Sequence, residues 1–248
     1  MIVGGAWNAN GHLVTMLNFD DYCELHTSPL TPLDIKVDID SFRNTMEKYN
    51  LAFRRWGQDY LDKQRFALPL VNLSGRLDDN PDKSLIPLDK LNENQQKKLW
   101  DSDFEHFTPV INESCFNTLD PIKPYMIRSS ILKWYNGSLF YPHIDTWFPS
   151  PILRLWGTDN PEHVHLRFTK SQQRSAWNET SPGVFVEPEF SESEASKNLV
   201  KYEGIEAGRL YLIDTAITHD AHAYDDSVYQ FFIALNINSI DTVRKLVL

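Results

Sequence analysis

Apolar positions recur along the chain with two different periods. Ile39, Phe42, Met46, Tyr49 and Phe53 advance by alternating steps of three and four residues, which lays one apolar stripe along a helix. Asp38 or Asp40 stands at its start as a capping carboxylate. The pattern predicts a second helix over Leu88–Trp100, with Leu91 and Leu99 facing inward. Between the two, Phe66–Leu73 reads as a short strand region, and Asp78–Lys83 as a loop by its turn chemistry. From about Tyr125 the period shortens. β-like runs follow one another at Met126–Tyr135, Phe140–His143, Ile152–Trp156, His163–Phe168, Val184–Val186, Arg209–Asp214 and Val228–Ile237. Gly137 and Gly208 stand where tight turns are needed. The acidic stretch Glu187–Lys201 has few large apolar residues and reads as a surface loop between strands, placed to help cover a site.

Many short strands punctuated by Gly, Pro and Asn indicate a sandwich, jelly roll or barrel with flanking helices. No linker rich in Pro, Gly or Ser divides the chain. The expectation is one domain over 1–248, with a mixed helical and strand part, 1–120, packing on a β core at 125–240.

Composition narrows the function classes. The 248 residues carry 24 Lys and Arg against 34 Asp and Glu, a formal charge of −10. Nucleic-acid backbones need a basic stripe, so nucleic acid is not the expected partner. Cys23 and Cys115 lie far apart without CxxC spacing, which points to reduced thiols. The start lacks a basic region followed by an apolar run, and the longest clean apolar run is Phe231–Leu235, too short to span a bilayer. A cytoplasmic protein without membrane contact is expected. There is no P-loop, no GxGxxG after a strand and no GxSxG elbow.

The chemistry concentrates in Trp134–Asp145, WYNGSLFYPHID. His143 and Asp145 are two apart, so on a strand both project to one face and can converge on one ion. A third ligand has to come from another strand. His219, 76 residues after His143, and His222, 79 after it, are the candidates. Two imidazoles and one carboxylate leave positions open on an octahedral ion, which suits non-haem Fe(II). His163-Val-His165 also sets two imidazoles on one face. The acidic residue a cupin places just after such a pair is missing until Glu179.

The pieces NGSLFYPHID, ILRLWG, GRLYLIDTAITH and YQFFIALNI resemble the Fe(II)/2-oxoglutarate-dependent dioxygenases, and among them the aspartyl/asparaginyl β-hydroxylase-like branch. The resemblance covers roughly Arg128–Asn238, less than half the chain. It implies a double-stranded β-helix, the jelly-roll core of cupin-like proteins. It implies His143, Asp145 and His219 as iron ligands, with Asp214 five residues before His219 as in that branch. It implies 2-oxoglutarate as co-substrate, O2 as oxidant, and hydroxylation of an unactivated C–H, with an amino acid, free or in a peptide, as substrate. The carboxylate at Asp145 fits a hydroxylase rather than a halogenase. One position departs from the family pattern: ten residues after His219, where an Arg usually holds the distal carboxylate of the co-substrate, stands Tyr229, followed by Gln230. Arg154 is the first substitute, with Arg167, Arg128 and the Tyr229 hydroxyl behind it, and His165 is expected beside the co-substrate. The alternative function is an inert double-stranded β-helix serving in binding or structure.

Overall fold

The computed structural model describes residues 17–55, 65–72, 74–78, 106–145, 152–175, 178–181, 184–186, 191 and 196–247. The helix expected over 88–100 lies outside them, as does most of the 187–201 loop.

Helix α1 (Phe19–Leu25) is capped by Asn18, whose side-chain oxygen accepts from the Asp21 amide. Strand β1 (Leu30–Lys36) leads into helix α2 (Ile39–Lys48). Asp38 is its N-cap, and Phe42 and Met46 are buried on the face that the apolar stripe marks. The helix is shorter than the stripe. After Lys48 the chain tightens into a 3₁₀ turn over Asn50–Ala52, yet Phe53 still reaches the core. Two short strands, β2 (Arg54–Arg55) and β4 (His106–Phe107), flank β3 (Arg65–Asn72) in chain order and both pair with it. Then follow β5 (Met126–Trp134), β6 (Leu139–His143), β7 (Leu153–Thr158), β8 (Val164–Thr169), β9 (Asn178–Ser181), β10 (Val184–Val186), β11 (Leu199–Lys201), β12 (Arg209–Ile213), β13 (His219–Ala223), β14 (Val228–Leu235) and helix α3 (Ile240–Val247).

The fold is mainly β. Its strands form a large antiparallel sheet in the order β1-β12-β7-β14-β5-β3-β2, with β4 on β3, and a small one in the order β11-β8-β13-β6. A β9–β10 hairpin stands apart. This is the two-sheet jelly roll of a double-stranded β-helix with flanking helices. The large sheet draws on both halves of the chain, since β1 pairs with β12 and β3 with β5. β1 contains Pro32 and lies at the sheet edge, where a missing N–H is tolerated. The C-terminal end of the acidic loop is itself a strand: Leu199–Lys201 pair with Thr169–Arg167 of β8.

Strand alternation divides the interior in two. On β14, Tyr229, Phe231, Ile233 and Leu235 join Tyr22, Phe42, Met46 and Val243 of the helices in one core. Val228 and, partly buried, Phe232 belong to the other, between the sheets, with Trp134, Trp156, Tyr211, Leu166, Phe168 and Ala221. Gly208 has φ +76°, and a Cβ there would lie 2.4 Å from the Val37 carbonyl oxygen, so the turn into β12 accepts only glycine.

Candidate metal centre

The centre forms where β6 ends and β13 begins. His143 and His219 are register partners across these antiparallel strands. Their rings lie 4.4 Å apart between centroids. His143 Nδ1 is 2.6 Å from the Tyr141 carbonyl oxygen, and His219 Nδ1 is 2.8 Å from that of Ile217. A carbonyl only accepts, so each Nδ1 carries a hydrogen, and Nε2 is the nitrogen left to offer a lone pair to a metal. Burial, then the neighbouring His143, pulls the His219 pKa down to about 4. His219 is therefore neutral, as a metal ligand must be, across the physiological range.

Asp145 follows His143 by two residues, just past the end of β6. Its amide donates to the Thr215 carbonyl at 3.0 Å. Burial pushes its carboxyl pKa up, but the Arg154 guanidinium and the two imidazoles outweigh that and hold it below the usual value. Arg154 comes from β7 in the large sheet and is 4% exposed. Its Nε donates to Asp145 Oδ2 at 2.7 Å, and its guanidinium lies over the Phe232 ring at 4.6 Å. The carboxylate is thus drawn toward Arg154, and its Oδ1 stands 3.9 Å from His143 Nε2. Among the described residues no group of three or more His, Cys, Asp or Glu side chains is placed, as it stands, to hold a metal ion. The donor chemistry nevertheless fits a divalent transition metal: two imidazoles, each with Nδ1 set on a carbonyl oxygen, and a carboxylate. Second-layer anchors of the kind metal-binding histidines use are also in place, as the two carbonyl oxygens behind Nδ1.

The other residues singled out in the sequence go elsewhere. On β8, Val164, Leu166 and Phe168 face the space between the sheets, so His165 and Arg167 point outward. Arg167 binds the Asp220 carboxylate through Nε at 2.8 Å and reaches His222 Nε2 at 2.9 Å. His165 packs against Tyr224 with centroids 4.3 Å apart, and His163 Nδ1 pairs with Asp225 at 2.8 Å. His222 shares this outer face, because it lies an odd number of residues from His219 on one strand. Tyr229 is on the far side of the large sheet. It packs edge-on to Phe42 at 5.7 Å and borders a cleft of about 470 Å³ with Arg43, Glu47, Lys133 and Asp159. Arg167, His165 and Tyr229 are therefore not beside the triad as expected. Of the expected co-substrate residues, Arg154 is brought to it.

Gln230, not Tyr229, is the residue of that pair that faces the space between the sheets. Its Oε1 accepts from the Trp156 indole at 2.8 Å, since an indole nitrogen can only donate. Its Nε2, and the Trp134 Nε1, are buried without a hydrogen-bond partner among the described residues. Buried N–H groups of this kind ask for an acceptor. The clue was available: β-alternation through Val228–Ile237 puts 229 and 230 on opposite faces.

No protein-family profile and no curated protein matches the chain. Solved structures do. The E. coli ycfD structure matches at 14% identity and TM-score 0.26, over 44% of this chain and 26% of that one, so the chain spans about a quarter of its length. A prolyl hydroxylase from Trichoplax adhaerens, in complex with a hypoxia inducible factor oxygen degradation domain peptide fragment, matches at 9% identity and TM-score 0.43, over 86% of each chain. A 2OG-Fe(II) oxygenase family oxidoreductase from Burkholderia pseudomallei matches at 8% identity and TM-score 0.41, over 90% of this chain and 96% of that one.

Proposed function

We propose that the chain is an Fe(II)- and 2-oxoglutarate-dependent oxygenase that hydroxylates an unactivated C–H. The observation that carries this reading is the convergence of His143 and His219, 4.4 Å apart between ring centroids, beside the Asp145 carboxylate. His143 Nε2, His219 Nε2 and an Asp145 oxygen would hold the iron, and the carboxylate has only to turn from Arg154. Bound iron with its co-substrate supplies the oxidising chemistry. The protein's own groups do the positioning. Arg154 stabilises the ionised form of Asp145 and offers a cation to an organic carboxylate at the same place. Gln230 Nε2 and Trp134 Nε1 offer N–H donors from the same interior to acceptor oxygens. The aromatic side chains Phe140, Phe168 and Phe232 keep that space apolar, which strengthens each of these contacts. An amino acid, free or within a peptide, is the substrate class that the sequence resemblance implies.

The Arg154–Asp145 ion pair favours a second reading, a β-helix binding protein without a metal. One experiment separates the two: anaerobic titration with Fe(II) and 2-oxoglutarate, followed optically, on the wild type, Asp145→Ala and His219→Ala. A weak visible charge-transfer band in the wild type, absent from both variants, supports the oxygenase. Absence of iron binding in the wild type leaves the binding protein.

A further inference from the structure

Asp145 and His219 hang on one turn, and that turn is held from the far side of the large sheet. Residues 214–218 join β12 to β13, and the turn proper is the first four of them, 214–217. All four are buried. The Thr215 carbonyl takes the Asp145 amide at 3.0 Å, and the Ile217 carbonyl faces His219 Nδ1 at 2.8 Å. A shift of the turn therefore moves both side chains together, whereas His143 is anchored separately on Tyr141.

Two struts fix the turn. Tyr22 on α1 is fully buried, and its hydroxyl accepts from the Thr215 amide at 2.8 Å. With the oxygen so occupied, its own proton can go to Thr215 Oγ1, 3.3 Å away. The second strut is Arg174, whose Nε binds the Asp214 carboxylate and whose Nη2 donates to the His26 carbonyl at 2.7 Å. Asp214 in turn accepts from the Ala216 amide through Oδ1 at 3.2 Å. The Tyr22 contact joins positions 193 residues apart, so helix α1 bears on the turn that carries Asp145 and His219.

We propose that Tyr22 and Arg174 are positioning residues for the His143–Asp145–His219 centre, acting through the 214–217 turn. The proposal rests on reading that centre as a metal site. Groups hydrogen-bonded to metal ligands change metal affinity by about 10- to 100-fold when removed, and Tyr22 and Arg174, one contact further back, are set at the lower end of that range.

The test uses the full chain and Co(II), whose visible spectrum reports the ligand field. Tyr22→Phe keeps the ring and deletes the hydroxyl. Arg174→Gln loosens Asp214 from a half-buried position, and it serves if Tyr22→Phe does not fold. Tyr49→Phe is the control: it removes a hydroxyl that binds Glu113 at 2.8 Å on another part of the molecule. The expected result is a Co(II) dissociation constant raised about 10-fold or more in Tyr22→Phe and Arg174→Gln, with an altered spectrum, and neither change in Tyr49→Phe. Unchanged affinity and spectrum in both variants, beside a wild type that binds Co(II), would overturn the positioning role alone. An equal loss in Tyr49→Phe would do the same, by showing general destabilisation. A wild type that takes up no Co(II) would overturn the metal-centre reading itself.

Discussion

Asp145 keeps its charge in a buried place because Arg154 stands 2.7 Å away. Removing the cation leaves a carboxylate with little water, so Arg154→Leu is expected to destabilise the fold by about 3 kcal/mol, measured by urea unfolding. His26 shows the opposite problem. It is enclosed by the Tyr22 and Ile213 carbonyls, and burial, partly offset by Asp214, lowers its pKa from the ordinary 6.5. The unfolded chain accepts a proton there that the native chain resists. The stability linked to His26 is therefore full above about pH 6.5 and declines as the pH falls below it, by up to about 1.4 kcal/mol per pH unit. Urea midpoints compared between about pH 7.5 and about pH 5.5 should show this decline, and His26→Gln should flatten it, by at most about one proton. At this scale the ligand-type residues were legible and their partners were not. His143 and Asp145 announce themselves by i, i+2 spacing. Nothing local says that Arg154 meets Asp145, or that Arg167 is taken up by Asp220 on the outer face.

Elements explain which residues could be read in advance. Runs rich in Val, Ile, Leu and aromatics gave β5, β7, β12 and β14 close to their observed bounds, because both faces of the large sheet are buried. β13 (HDAHA) contains no large apolar residue and so has no strand pattern, whereas Leu33 and Ile35 in β1, and Val37 just past it, alternate with Asp34 and Lys36, a short pattern that Pro32 interrupts at its start. Alternation also decides between neighbours: it sends His219 inward and His222 to the outer face, and Gln230 into the space between the sheets and Tyr229 into the core under the helices. Two variants test how elements start. Asp38→Ala removes the N-cap of α2 and should cost about 1 kcal/mol. Gly208→Ala meets both a positive φ and the Val37 carbonyl, and should cost more, about 2–4 kcal/mol, in the same unfolding assay.

The described residues form three layers, helices on a large sheet on a small one, with the centre between the two sheets. Because β1, β2, β3 and β4 belong to the large sheet, residues 125–240 alone lack four of its strands and the α1 and α2 helices that cover it. That fragment is expected to show no cooperative urea transition, whereas the full chain shows one. No helix among the described residues is long and apolar enough to cross a membrane. The amino-acid sequence by itself determined the β-rich class, the capped helix at 39, most strand positions and the residue types that can hold a metal. These follow from period, turn chemistry and donor chemistry, all of which act within a few residues. Only the tertiary structure decided which histidine joins His143, that Arg154 rather than Arg167 or Tyr229 comes to Asp145, and that Tyr22 binds Thr215, 193 residues away. Those contacts depend on register between distant strands and on which face of a sheet is enclosed, and a linear pattern carries neither.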